Sequence, residues 1–328
     1  PPRLLNVTGD QVRLVTPLSV DTAVALTTYA TLSHCWGKNP NFLTLKDENL
    51  DEFHRAIPSI LIPQTFQDAI TICRNIGIPY LWIDSLCILQ SGKGSNEDWL
   101  SHLNEMRHIY KNGVINIAAS HGSNPNAGIF RDRDPTLLKP LIFQDPDNGI
   151  ESKDHHMVHK FFRHTEFSNS PLGSRGWVFQ ERLLSPRIVH FTKEQVFWEC
   201  SEIRCGSEGF PHGLEMERPP SFSLPSAQDL SEPQEVDWAM NELIKGYTSR
   251  NLSHPDSDKF PAFAGVAEHF ASHIHDEYVA GFFRNQLPEA LLWHINNFND
   301  SISKNRINPS PGYRSPSWSW AKMDCAVS

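Results

Sequence analysis

An alternation of apolar patterns across residues 29–120 constrains the fold more than any other feature of this chain. Residues 29–35, Tyr-Ala-Thr-Leu-Ser-His-Cys, read as a buried strand that runs into a Trp36-Gly37 turn. After a loop and a short helix, Phe66, Ile70, Cys73 and Ile76 recur at spacings of 4, 3 and 3. With Pro63 suited to a first turn and Gly77 to a C-terminal cap, they predict an amphipathic helix. The run at 80–89, Tyr-Leu-Trp-Ile-Asp-Ser-Leu-Cys-Ile-Leu, fits a strand covered on both faces. Trp99, Leu103, Met106 and Tyr110 predict a second helix closed by Asn112-Gly113, and 114–120 a third strand. This β-α-β-α-β order predicts a doubly wound, mainly parallel α/β sheet, which binds ligands at the carboxyl ends of its strands. Ser33, His34 and Trp36 gather at the first such end, Asp84, Ser85 and Gln90 at the second, and Ser120 and His121 at the third. Strand ends are wet in most proteins, but three polar groups together favour a cleft.

The rest of the chain is less regular. Residues 131–170 read as a loop insertion, 175–184 as a short helix ended by Ser185-Pro186, and 187–192 with 195–200 as a hairpin holding a fourth core strand. Helical spacing returns at Val236, Met240, Leu243 and Tyr247 and continues through 260–270 and 287–293, whereas Ser-Trp-Ser-Trp-Ala at 317–321 reads as an apolar strand. The expected organisation is a core domain at 1–205 with its insertion at about 131–170, an exposed connection at 206–235, and a mostly helical accessory region at 236–328. A chain of 328 residues exceeds what one core requires.

Composition narrows the function. With 29 basic against 38 acidic residues the net charge is −9 and no basic stripe breaks it, so a nucleic-acid surface is not expected. No apolar run approaches the roughly 20 residues of a membrane span. Six cysteines in a long chain without a signal-peptide pattern point to reduced thiols and a cytoplasmic location. The start at Pro-Pro-Arg, without Met, suggests a processed or excised piece. There is no GxGxxG after a strand, and Gly92-Lys-Gly-Ser lacks P-loop spacing, which argues against a dehydrogenase or a P-loop ATPase. His155 and His159 lack the glutamate of a zinc-protease helix, and Cys200 and Cys205 lack partners at zinc-site spacing, so neither a metal nor a bound cofactor is expected. A hydrolase reading would use Ser33, Ser85, Cys35 or Cys87 as nucleophile, but buried structural thiols are the more ordinary outcome for the cysteines. His102 and Glu105 stand at i, i+3 on the second helix. Glu181 stands out among the carboxylates, four residues after Trp177 and next to Arg182; a helix-surface Glu paired to Arg is the competing reading.

Four blocks in order carry a family resemblance: Tyr-Ala-Thr-Leu-Ser-His-Cys-Trp-Gly at 29–37, Tyr-Leu-Trp-Ile-Asp-Ser-Leu-Cys-Ile-Leu-Gln at 80–90, Glu97-Asp-Trp with Met106 and Ile109-Tyr110, and Arg-Gly-Trp-Val-Phe-Gln-Glu-Arg-Leu-Leu-Ser at 175–185. Together they resemble the fungal heterokaryon-incompatibility (HET) domain over roughly residues 29–200. The resemblance implies nonself recognition and regulated cell death after fusion of unlike cells, with a protein partner in that signalling. It also implies a remote similarity to the Toll/interleukin-1 receptor (TIR) domain, a flavodoxin-like fold of innate immunity. Some TIR domains hydrolyse NAD, and their assembly often governs cell-death execution, so a homo-oligomer is implied as well. Their catalytic stretch has Trp, then Cys, and Glu four residues after the Trp; here Trp177, Glu181 and Leu183 approximate it, with Val178 in place of Cys. The resemblance thus implies NAD or a related nucleotide as substrate and Glu181 as the catalytic carboxylate. Ser33, His34, Trp36, Asp84, Ser85, Arg175, Trp177 and Arg182 would line the substrate site. Where many HET domains have a Glu four residues after the Asp of the Asp-Trp pair, this chain has His102, with Glu105 one turn away as a substitute. A non-catalytic death-signalling adaptor or nucleotide-binding module is the competing class.

Overall fold

The computed structural model describes residues 1–16, 28–139, 141–144, 154–157, 166–167, 169–202, 206–208, 224–226, 229–295 and 312–328. The chain divides into two compact units. One comprises residues 1–102, 112–173 and 186–216, and the other 103–111, 174–185 and 217–328.

The first unit is α/β. It opens with two short strands that the sequence did not announce, β1 (Leu4–Asn6) and β2 (Arg13–Val15), paired antiparallel. β3 (Tyr29–Ser33) is buried along its whole length, as its continuous apolar character requires. A short helix α1 (Leu50–Arg55) precedes α2 (Gln64–Asn75), which buries Phe66, Ile70 and Cys73; the chain leaves α2 through Gly77 at φ 72°. Ile76, expected on the buried stripe, is 50% exposed because the helix ends before it.

The run at 80–89 corrects the sequence reading. Only β4 (Tyr80–Trp82) is extended, and the chain then coils into α3 (Asp84–Cys87). Continuous apolar character reports burial without choosing between strand and helix. What turns the chain is Asp84, whose Oδ1 accepts the Ser85 N–H at 2.7 Å. Next come α4 (Ser95–Asn112) and β5 (Ile115–Ala118). Inside the expected insertion, β6 (Leu141–Gln144) and β7 (Asp154–Met157) form an antiparallel pair, so His155 lies on a strand opposite Phe143, not on a helix; His159 falls outside the described residues.

α5 (Val178–Leu184) belongs to the second unit, and the chain then returns to the sheet as β8 (Arg187–Phe191), β9 (Val196–Cys200) and β10 (Gly206–Ser207). The strand order is β10-β9-β8-β5-β3-β4-β1-β2. The sheet is mixed: β8, β5, β3 and β4 run parallel at its centre, and antiparallel strands flank them on both sides. Winding reverses at β3, with β4 on one side and β5 on the other. Among the described residues no helix is long and apolar enough to cross a membrane.

The second unit is built on α6 (Pro233–Thr248), the one-turn α7 (Pro255–Asp258) and α8 (Pro261–Ile274). Phe179 of α5 joins Met240, Leu243, Tyr247, Phe263, Phe270 and Trp320 in its core. Residues 284–286 and 289–292 make single 3-10 turns, not the longer helix expected at 287–293. The Ser-Trp-Ser-Trp-Ala run is likewise no strand: it bends into a 3-10 turn at Trp320–Lys322. Trp320 Nε1 donates to the Gly281 carbonyl at 2.8 Å, at the tip of a hairpin of β11 (Tyr278–Val279) and β12 (Phe282–Phe283). Ala280 and Gly281 have φ of 49° and 107°, and a Cβ on Gly281 would stand 2.6 Å from Trp320 Nε1, so glycine is needed there.

Candidate functional site

At the carboxyl ends of β3 and β4 four of the expected residues meet. His34, 2% exposed, packs edge-on against Phe66 at 4.8 Å between ring centroids and lies nearly parallel to Trp36 at 6.5 Å. Trp36 Nε1 donates to Asp84 Oδ2 at 2.9 Å, and His34 Nδ1 stands 3.8 Å from Asp84 Oδ1. Together with the Ser85 N–H, these contacts hold one carboxylate between an indole, an imidazole and the start of α3 while its side chain stays 25% exposed. The Ser85 hydroxyl is buried without a hydrogen-bond partner among the described residues. Ser33 is turned to another use: its Oγ exchanges hydrogen bonds of 3.0 and 3.2 Å with the Asn116 amide, tying β3 to β5.

Beside this carboxylate a cavity of about 420 Å³ lies between the loops that follow β3 and β5. Trp36, Lys38, Asn39, Asn41, Phe42 and Asn124 line it, giving one aromatic face, one cation and several amides. Gly37, at φ 85°, is where the two loops approach: a Cβ there would stand 3.2 Å from that of Asn124. The second loop is clamped from α2 by residues the sequence reading passed over. Buried Asp68 accepts Ile129 N–H at 2.6 Å, Phe130 N–H at 3.2 Å and Gln64 Nε2 at 2.7 Å, while Thr65 Oγ1 accepts Gly128 N–H at 3.1 Å. An acid among buried Phe66, Ala69 and Ile70 was the available signal. Asp68→Ala leaves two loop N–H groups without their charged acceptor, an expected loss of about 2–4 kcal/mol in urea unfolding; a loss below about 0.5 kcal/mol would show that the clamp does not matter.

His102 is 1% exposed, and its Nδ1–H donates to the Asp98 carbonyl at 2.8 Å. Asp98 also pairs with Arg3 and accepts the Leu89 N–H at 2.8 Å. Glu105 is exposed. Burial holds the His102 imidazole below its ordinary pKa, as it does for His121 and His269. Each of these groups takes up a proton more readily in the unfolded chain, so stability is level above about pH 6.5 and falls as the pH drops below it. Urea midpoints at pH 7.5 and 5.0 are expected to fall with acid, and to fall less in His102→Gln; an equal fall would remove His102 as a source.

Arg175, Trp177, Glu181 and Arg182 lie in the second unit. Trp177 caps α5, and its Nε1 donates to Asp258 Oδ2 at 3.0 Å. Glu181 is 5% exposed, so it is buried and does not stand on the helix surface. Its carbonyl accepts the Ser185 hydroxyl at 2.6 Å, and Arg175 bridges to Asn251. The thiol reading loses ground too: Cys87 is fully buried, and desolvation pushes its thiol up to about 12, far from a thiolate at neutral pH. Among the described residues no group of three or more His, Cys, Asp or Glu gathers as a metal site.

Compared with known proteins, residues 29–181 match the family model described as Heterokaryon incompatibility protein (HET). No curated protein and no solved structure matches the chain.

Proposed function

We propose, on the premise that residues 29–181 make this chain a heterokaryon-incompatibility (HET) domain protein, that it is an effector of nonself recognition which promotes regulated cell death by handling a dinucleotide. The observation that carries this reading is the Asp84 carboxylate, fixed by Trp36 and Ser85 beside the 420 Å³ cavity at the point where the winding of the sheet reverses. Trp36 offers a stacking face and Lys38 a charge for a diphosphate, while Asp84, outside the cavity wall, holds the Trp36 indole in place.

NAD is the candidate substrate. Water replaces nicotinamide at the anomeric carbon of its ribose, giving nicotinamide, ADP-ribose and a proton. The bond breaks through an oxocarbenium-like transition state with a neutral leaving group, so a carboxylate that stabilises the developing cation supplies the main acceleration. The TIR resemblance gives that role to Glu181, which belongs to the second unit, whereas the Trp36 cavity belongs to the first. A relation to the TIR domain is supported by the order of the parallel strands, β4-β3-β5-β8, which is the 2-1-3-4 order of a flavodoxin-like sheet. The adaptor reading, nucleotide binding without turnover, is favoured by one observation: Glu181, the carboxylate the enzyme reading needs, is only 5% exposed.

The test is nicotinamide release from NAD by wild-type protein at high concentration, where self-assembly is allowed, with Glu181→Gln alongside. Release that depends on Glu181 supports the enzyme. Absence of release from assembled protein transfers the function to the adaptor.

A further inference from the structure

We propose that His269 and His273 of α8 form a two-imidazole chelate for a single late first-row divalent ion, Cu²⁺ before the others, with water completing its coordination. The two stand at i, i+4 and so on one face of the helix, the spacing at which paired histidines hold the metal of zinc proteases. Their ring centroids lie 4.5 Å apart, which one ion bound about 2.1 Å from a nitrogen of each ring can span. Both rings, and the Pro225 carbonyl that orients the first of them, belong to the second unit.

The hydrogen bonds decide which nitrogens are available. A carbonyl only accepts, so His269 Nε2–H donates to that of Pro225 at 2.8 Å and His273 Nδ1–H to that of His269 at 2.7 Å. The Ser272 hydroxyl, 3.1 Å from His273 Nδ1, does not change this tautomer, because its one hydrogen goes to the His269 carbonyl at 2.7 Å. What remains is a lone pair on His269 Nδ1 and another on His273 Nε2. Neither nitrogen has a hydrogen-bond partner among the described residues, and neither is sealed from solvent, so an ion can reach both. A ring N–H given to a backbone carbonyl is also what fixes the tautomer and orientation of a metal-bound histidine. Burial holds His269 below its ordinary pKa, which keeps it neutral at pH 7. Two neutral acceptors side by side suit a cation that takes imidazole nitrogen, and the order of divalent affinities puts Cu²⁺ ahead of Ni²⁺ and Zn²⁺.

The test titrates Cu²⁺ into the full chain and into His269→Gln, His273→Gln and the double variant, followed by calorimetry and by nitrogen splitting in electron paramagnetic resonance. Because the chain has 16 histidines, the reading is the difference from wild type. Each single variant is expected to lose one equivalent of tightly bound Cu²⁺, the affinity at that site falling by at least about a hundredfold. The double variant should lose the same equivalent and no more, since a chelate is gone with its first arm, and the difference spectrum should show two nitrogens. His273→Gln leaves the Pro225 contact untouched, so it carries the test even where His269→Gln disturbs the fold. An unchanged count of tight ions in His273→Gln, or a difference spectrum with one nitrogen, overturns the proposal.

Discussion

Trp320→Ala is expected to lower the stability of the second unit by about 3–5 kcal/mol, the range for removing a large aromatic side chain from a core. Trp320 is fully buried, with ring centroids 6.0 Å from Tyr247 and 5.8 Å from Phe263, both edge-on. Alanine leaves a void that these rings cannot fill and strips the Gly281 carbonyl of its donor. Trp320→Phe separates the two losses: it keeps most of the ring and forfeits only the hydrogen bond, for about 1–2 kcal/mol. Urea unfolding followed by near-ultraviolet circular dichroism reads both. Since a whole domain is stable by roughly 5–15 kcal/mol, the alanine substitution removes a large share of that margin. A shift under about 1 kcal/mol would mean that the Trp320 turn is peripheral.

The second large effect is on turnover. Glu181→Gln keeps the side chain's shape but removes the charge and turns one acceptor oxygen into a donor; under the proposed NAD chemistry nicotinamide release falls by about 10²–10³ in kcat with KM little changed, the effect of losing one electrostatic stabiliser. Asp84→Asn should behave differently. Its amide has one oxygen for two N–H donors, the Trp36 indole and the Ser85 backbone, so one of the two contacts becomes donor against donor, the hold on the aromatic wall weakens and KM rises. A fall in kcat for Asp84→Asn with Glu181→Gln unimpaired would exchange the two roles. With both variants folded and both active, neither carboxylate belongs to the reaction.

Period and turn chemistry made the centre of the first unit legible. Phe66, Ile70 and Cys73 share a face at helical spacing, and Tyr29 to Ser33, a short run closed by the Trp36-Gly37 turn, fits a strand covered on both sides. The run around Asp84 has no period and hides its change from strand to helix, and the Trp318–Trp320 spacing suits a strand although the first ring is 39% exposed and the second fully buried. β1 and β2, three residues each, are too short to show alternation. The meeting of His34, Trp36 and Asp84 was legible because a wound sheet brings successive strand ends together. The Asp68 clamp was not, since its meaning depends on a partner 61 residues away.

Phe179 sits within the segment that matches the family, yet the rings against it are Tyr247 and Phe263, at 5.7 and 6.0 Å, and Trp320 closes the same cluster. On the ribosome, α5 therefore emerges well before the residues that cover it. Throughout that interval its apolar face is available to chaperones, and the second unit cannot close until Trp320 has been made. A premature stop after α5 but ahead of Trp320 yields a chain for the quality-control proteases, not a weakened protein.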